Sequence, residues 1–270
     1  MKFTTKALIV SLLFCLPTIV SAQQKLDTIF YNKNWKETKV KDSVAFYKLV
    51  TKVNNKYEVK YYYVNKTPLM TGTYTTTEQD IKDGYFKYFD EFGKLTEEGF
   101  YKNNLKEKMW KSYVNGKLWL EINYLNDNYN GTFTSFYKNG KIKRKDYFEN
   151  GDFKMGNCYD KNGIDTLYYP FRIPPEFIGG EEKLYKYLGE NVNYPDEAKR
   201  KGIEGKVIVK FYVDEKGKIV NTTVISNTPE ILNQSAIKCV NEMPNWVPGL
   251  QDGEKVQVYY TIPIVFKLDK

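Results

Sequence analysis

The feature that most constrains the fold of this chain is a glycine turn that recurs along its first half. Gly93, Gly116, Gly140 and Gly163 are spaced by 23 or 24 residues, and an asparagine precedes the last three of them. A short aromatic segment comes before each turn. Strand, Asn-Gly turn and strand together are typical of a β-hairpin. Because one hairpin cannot bury its own apolar face, we expect the hairpins to stack side by side in one continuous sheet.

One of these units also resembles a known repeat. The segment 108–117, KMWKSYVNGK, resembles a MORN-variant repeat with the loose pattern G-x-W-x-x-Y-x-x-G-K, and Lys108 stands in place of the leading glycine. The resemblance covers residues 84–165, and a degenerate earlier copy is predicted at 61–74. We interpret this β-rich region, within residues 23–167, as a rigid spacer; the alternative is a sheet that binds a peptide or a glycan.

The amino-acid composition limits the chemistry that the chain can perform. The chain has 270 residues and no histidine, which excludes Ser-His-Asp and Cys-His nucleophiles, histidine zinc sites and histidine proton shuttles. Three pairs of acidic residues could suggest carboxylate catalysis. The pair at 97–98 is expected to point to opposite faces of a strand, the pair at 181–182 suits a helix start, and the pair at 214–215 lies in a turn, so none is expected to converge on a substrate. We therefore predict that the chain is not an enzyme and has no catalytic residues, metal site or cofactor.

The N-terminal residues 1–22 have the features of a secretory signal peptide. Two lysines precede an apolar run that begins at Ala7, and Val20-Ser21-Ala22 fits the small-residue rule for cleavage. The alternative is a short uncleaved anchor, although a helix that spans a membrane needs roughly 20 apolar residues and this run is shorter. In an exported protein the net charge of +8 favours anionic envelope surfaces over nucleic acid.

The C-terminal part has the pattern of a second domain. Residues 168–180, YYPFRIPPEFIGG, are rich in proline and then glycine, which predicts a linker. Residues 181–270 follow with two helical patterns, a hairpin, a third helix and a last strand. The predicted fold is therefore mostly β, a stacked hairpin sheet, followed by a small α+β domain with an antiparallel sheet.

A proline inside the last strand indicates where that strand lies. Even-numbered positions from Val256 to Leu268 are apolar, whereas Pro263 falls among the odd ones. Proline cannot donate to a sheet ladder, so it is confined to edge strands, strand starts and bulges. The odd-numbered main-chain groups would then face a free edge and could pair with an incoming peptide, although the proline could equally serve to protect the edge from aggregation. The predicted partner-binding residues are Gln257, Tyr259, Thr261, Pro263, Val265 and Lys267.

The C-terminal part carries a spaced series of residues, which are Tyr194-Pro195, Ala198, Gly202 to Val207, Phe211, Val213, Gly217, Trp246, Pro248-Gly249, Gly253 and Ile262 to Phe266. Through this series, residues 191–268 resemble the C-terminal domain of TonB, the periplasmic energy transducer of Gram-negative bacteria. The resemblance implies that the domain captures the TonB box, a short extended segment of an outer-membrane transporter, at its sheet edge.

The resemblance also implies a cellular role, with two alternatives. TonB transducers have an uncleaved N-terminal helix with a histidine and a long proline-rich spacer, and this chain departs from them in all three features. We predict a TonB-family protein of the periplasm, associated with the inner membrane if residues 1–22 are retained, that works with an ExbB/ExbD-type motor in nutrient transport. The alternative is a secreted periplasmic adaptor that binds peptides or cell-wall material without transmitting force. Exposed edges would also allow a homodimer, and nucleic acid is not an expected partner.

Overall fold

The computed structural model describes residues 24–76, 78 and 80–268. The chain divides into two compact units, and the boundary in the sequence lies between Thr166 and Leu167. The predicted signal peptide lies outside the described residues. Within the described residues, no helix is both long and apolar enough to cross a membrane.

The first unit is one antiparallel sheet of twelve strands in which each strand pairs with its neighbours in sequence. Its strands are β1 (Gln24–Tyr31), β2 (Phe46–Val53), β3 (Lys56–Tyr63), β4 (Pro68–Tyr74), β5 (Gly84–Phe89), β6 (Leu95–Lys102), β7 (Leu105–Val114), β8 (Lys117–Leu125), β9 (Asn128–Phe136), β10 (Ile142–Glu149), β11 (Asp152–Tyr159) and β12 (Asp165–Thr166), with a 3-10 helix at Lys41–Ser43. The predicted stack of hairpins is confirmed, whereas the assignment to MORN-variant repeats stays a prediction.

The recurring glycines occupy the hairpin turns, as predicted. Gly93 and Gly163 have φ angles of 78° and 91°, a left-handed conformation that glycine adopts without a side-chain penalty. The side chain of Asp90 closes the first of these turns, because its Oδ1 accepts the N–H groups of Phe92 and Lys94 at 3.0 and 2.8 Å. The turns therefore form from local chemistry, which explains why the sequence alone reveals them.

At the opposite end of the hairpins, two of the connecting turns form hydrogen bonds with the chain 21 or 22 residues earlier. The main chain of Lys82 donates to Asn104 Oδ1 at 2.8 Å and accepts from the Asn104 N–H at 3.0 Å. Lys106 and Asp127 repeat the same exchange at 2.6 and 3.0 Å. These reciprocal pairs hold successive hairpins in register.

The centre of one sheet face is packed by aromatic rings that lie over glycines of a neighbouring strand. Trp110 is 2% exposed and covers Gly99, and Phe86, which is fully buried, covers Gly72. A Cβ atom on Gly99 would lie 2.5 Å from the indole Cγ, and one on Gly72 would lie 2.6 Å from Phe86 Cζ. Glycine is therefore required at both strand positions by the ring above it.

The second unit is a small α+β domain. Its elements are β13 (Arg172–Ile173), α1 (Gly180–Asn191), α2 (Asp196–Arg200), β14 (Gly205–Val213), β15 (Ile219–Val224), α3 (Glu230–Asn241), β16 (Leu250–Gln251), β17 (Glu254–Lys255) and β18 (Val258–Phe266). The larger of its two antiparallel sheets has the order β15-β14-β18, and the smaller has the order β13-β16-β17. Alternate residues of β14 are buried against the helices, as the period-2 pattern predicts.

Part of segment 168–180, for which the sequence predicts a linker, packs within this second unit. Arg172 and Ile173 pair with the strand at Leu250–Gln251. Phe177 is 6% exposed, and its ring lies edge-on to Trp246 with centroids 5.6 Å apart. Gly179 and Gly180 have φ angles of 87° and 82°, and the Gly180 N–H donates to the Phe177 carbonyl at 2.8 Å, which forms a turn into α1. The composition that is typical of a linker thus also occurs in a packed segment.

Candidate functional site

The strand that carries Pro263 lies at a sheet edge. Among the described residues, β18 pairs with β14 alone, in an unbroken antiparallel register from Gly205–Phe266 to Val213–Val258. The opposite side of β18 has no neighbouring strand in the described part of the chain. A nine-residue strand with one unpaired side is long enough to accept an additional strand.

The direction of the main-chain groups follows from the register. Ile208 lies opposite Pro263. The N–H of Ile208 donates to Ser226 Oγ at 3.0 Å and its carbonyl accepts from the Ile225 N–H at 3.0 Å, so both groups point away from β18. In an antiparallel ladder, directly opposed residues point either towards each other or away from each other. The main-chain carbonyl of Pro263 therefore faces the free edge.

Four of the six sequence-predicted residues share this orientation. Tyr259, Thr261, Pro263 and Val265 alternate along β18, and their side chains are exposed. Gln257 and Lys267 lie directly before and after the strand, outside its ladder. That these residues bind a partner stays a prediction.

The other edge of the same sheet has a different shape. The register of β15 against β14 is interrupted by a bulge, and Asn221 adopts a left-handed φ of 54°. Thr222 donates from its hydroxyl to Asn241 Oδ1 at 2.6 Å, which ties the bulge to α3. A bulged edge does not present an even row of donors and acceptors, so β18 is the edge suited to accept a strand.

An apolar cleft of about 460 Å³ lies beside the free edge, and the sequence analysis did not predict it. Tyr185, Leu188 and Gly189 of α1 and its C-cap residue Val192 line one wall, and they follow helical spacing. The other lining residues are Tyr194 and the stretch from Pro263 to Lys267. Helical periodicity alone could have identified this stripe, but its position beside β18 depends on how α1 docks.

The polar groups around the cleft are few. The hydrogen bond that Tyr185 donates to Glu181 at 2.9 Å raises the pKa of its phenol, and desolvation raises the pKa of Tyr194, so both hydroxyls are neutral at physiological pH. Among the described residues that line the cleft, Lys267 is the charged one. The lining is otherwise mostly apolar, so it suits an apolar segment that brings no basic side chain next to Lys267.

The exposed face of the same sheet carries a small aromatic cluster next to the edge. The Lys210 ammonium lies 4.8 Å from the ring centre of Tyr259 and 5.7 Å from that of Tyr212. Such contacts hold the rings in place on a solvent-exposed surface. Within the described residues, no group of three or more Cys, Asp or Glu side chains is placed to hold a metal ion.

Comparisons with known proteins concern this second unit. Residues 190–268 match the family model described as the Gram-negative bacterial TonB protein C-terminal domain. Protein TonB of Helicobacter pylori is 30% identical over 87 residues, which are 32% of this chain and 29% of that protein, and Protein TonB of Vibrio cholerae is 34% identical over 77 residues, 28% of this chain and 31% of that protein. The chain thus spans about three tenths of the length of these curated relatives. An NMR structure of the Helicobacter pylori TonB C-terminal domain is 29% identical and aligns with 33% of this chain and 80% of its own, with a TM-score of 0.27.

Proposed function

We propose that this chain acts as a TonB-like protein of the Gram-negative envelope, whose C-terminal domain binds an extended segment of an outer-membrane transporter. The segment adds to the free edge of β18 as a fourth strand. The match of residues 190–268 to the TonB C-terminal family supports the class of partner.

The observation that carries this proposal is the unpaired side of β18. Its odd-numbered residues from Tyr259 to Val265 direct three N–H donors and four carbonyl acceptors outward, since Pro263 lacks an N–H. Each main-chain hydrogen bond contributes a net of about 0.5–1.5 kcal/mol, so a few of them give a reversible interaction of moderate strength. Main-chain pairing supplies affinity, while the side chains of the added strand supply specificity.

The proposal extends to the cellular role of the whole chain. Docking of a transporter segment at β18 is the step through which a TonB-like protein acts on nutrient transport, with force supplied by an ExbB/ExbD-type inner-membrane motor. The twelve-stranded sheet supports this role as a rigid spacer, because each hairpin is held to the next by strand pairing and by reciprocal turn contacts.

The test removes one donor from the free edge. Thr261→Pro deletes an outward N–H without touching the ladder to β14, so we expect the fold to persist and the affinity for an N-terminal transporter peptide to fall by about three- to ten-fold. Thr261→Val is the matched control, because it changes the side chain but keeps the N–H. Isothermal titration measures both affinities, and circular dichroism checks the fold.

Equal affinities for the two variants would contradict pairing at this edge. Binding that is lost in both variants would instead indicate recognition through the threonine side chain.

A further inference from the structure

Helix α1 contains one glycine whose presence the rest of the chain does not require. Gly189 lies in the last turn of α1, ahead of the C-cap residue Val192, and glycine within a helix is less favourable than alanine by up to about 1 kcal/mol. A Cβ atom at this position would meet no heavy atom within 4 Å beyond the helix itself, and its φ lies outside the left-handed range. Neither packing nor backbone conformation therefore accounts for this glycine.

Gly189 is exposed and lies in the lining of the cleft beside the free edge. Tyr185, Leu188 and Val192 line the same cleft, together with Ile264 of β18. A larger residue at 189 would extend into the space between the helix and β18. The cleft is thus an apolar notch whose depth depends on the missing side chain.

The geometry of an added strand shows what would enter this notch. A fourth strand lies about 4.8 Å from β18, and directly opposed residues of paired strands project to the same face. Ile264 projects to the buried face and lines the cleft. The partner residue opposite Ile264 would therefore direct its side chain towards α1, over Gly189.

We infer that Gly189 is a specificity-determining residue, which lets the cleft accept one large apolar side chain of the bound strand. This inference rests on the proposed function, since it concerns the same edge. The occupant is an extended segment with an apolar residue opposite Ile264 and no basic group beside Lys267, which is the charged residue among the described residues of the lining. A lysine or arginine at that point would place like charges together in an apolar site.

The experiment enlarges the side chain at position 189 and, separately, shortens the side chains of the bound peptide. The probe is a fluorescently labelled synthetic peptide that alternates threonine and valine between acidic ends, together with a set in which each valine in turn is replaced by alanine. Anisotropy titrations with the full chain give the affinities. Gly189→Leu fills the notch, Gly189→Ala adds a methyl group that meets no neighbour, and Glu190→Leu is a matched control on an exposed part of α1 outside the cleft.

We expect Gly189→Leu to weaken binding of the valine peptide by about ten-fold or more, the typical effect of overpacking a filled site. Gly189→Ala and Glu190→Leu should change affinity by less than about two-fold. One of the alanine peptides should bind the Gly189→Leu chain nearly as well as the valine peptide binds the natural chain.

The outcomes separate this inference from the proposed function. If Thr261→Pro weakens the valine peptide but Gly189→Leu does not, edge pairing stands and the notch is not used. If Gly189→Leu weakens every alanine peptide equally, the leucine acts on the strand as a whole and the inference fails. If no peptide of the set binds the natural chain, the inference fails, whereas the proposed function is decided by the separate titration of Thr261→Pro and Thr261→Val with a transporter peptide.

Discussion

The packing of rings on glycines in the repeat sheet gives a quantitative prediction for Gly99→Ala. The new Cβ would lie 2.5 Å from the Trp110 Cγ, whereas carbon atoms in contact are about 3.5–4.0 Å apart, so the ring or the strand must move by more than about 1 Å. The ring has little room, because Tyr101 lies edge-on to it at 4.8 Å and the Lys106 ammonium lies 3.9 Å from its centre.

The expected cost has two parts. Overpacking of a filled site costs about 1–3 kcal/mol. Moving the indole also weakens the hydrogen bond from its Nε1 to the Phe100 carbonyl, which is 3.0 Å long and contributes about 1 kcal/mol. We therefore expect Gly99→Ala to lower the free energy of opening of β6 and β7 by about 2–4 kcal/mol.

Hydrogen exchange followed by mass spectrometry measures the free energy of opening of β6 and β7, on peptides that cover residues 95–114. A double-mutant cycle isolates the clash: once Trp110→Ala has removed the ring, adding Gly99→Ala should change the opening free energy by less than about 0.5 kcal/mol. An unchanged cost of Gly99→Ala in the Trp110→Ala background would refute the steric argument, because the ring would then not be its cause.

Two further predictions follow from ionisable groups. Burial, with a smaller contribution from Glu242, raises the pKa of the Cys239 thiol to about 11, so the folded protein should leave Cys239 unlabelled by iodoacetamide at neutral pH; rapid labelling of that peptide without denaturant would contradict this. Burial opposes ionisation of Glu98, but hydrogen bonds from Tyr113 and Tyr85 and the charge of Lys87 outweigh it and hold its pKa below 4.5. Because the pKa of Glu98 is lower in the folded than in the unfolded chain, its ionised form stabilises the sheet at pH values above the unfolded pKa. This contribution is lost as the pH falls through the folded pKa. Urea titrations at decreasing pH should therefore show a smaller loss of stability below pH 4.5 for Glu98→Gln than for the natural chain, and parallel losses would exclude this role of Glu98.

The sequence predicts those parts of the fold that depend on local chemistry. The turn at Gly93 needs only a left-handed residue and the nearby Asp90 side chain, and the edge position of β18 follows from the missing N–H of Pro263. The contact between Lys82 and Asn104 joins residues 22 positions apart, and no local pattern indicates it. Here tertiary pairing decides which asparagine side chain closes which turn.

The same limit applies to the candidate site. The alternation of β18 places four exposed residues in one row, which a period of two predicts. The cleft depends instead on where α1 docks, because Gly189 is an ordinary exposed helix position until β18 is placed beside it. A segment such as 168–180 is harder to predict from sequence. A packed segment and a linker between domains can have the same proline-rich composition.

The two interpretations of Pro263, protection of the edge and docking of a partner, are compatible when the lost donors are counted. A peptide added to β18 loses one hydrogen bond, the one that residue 263 would donate. Two copies of the domain that pair edge to edge through β18 lose two, because each strand brings its own Pro263. At about 0.5–1.5 kcal/mol for each bond, the proline disfavours self-pairing more than it disfavours a peptide. A single proline at an outward position thus biases an exposed strand against its own copy while it leaves three outward donors for a different chain.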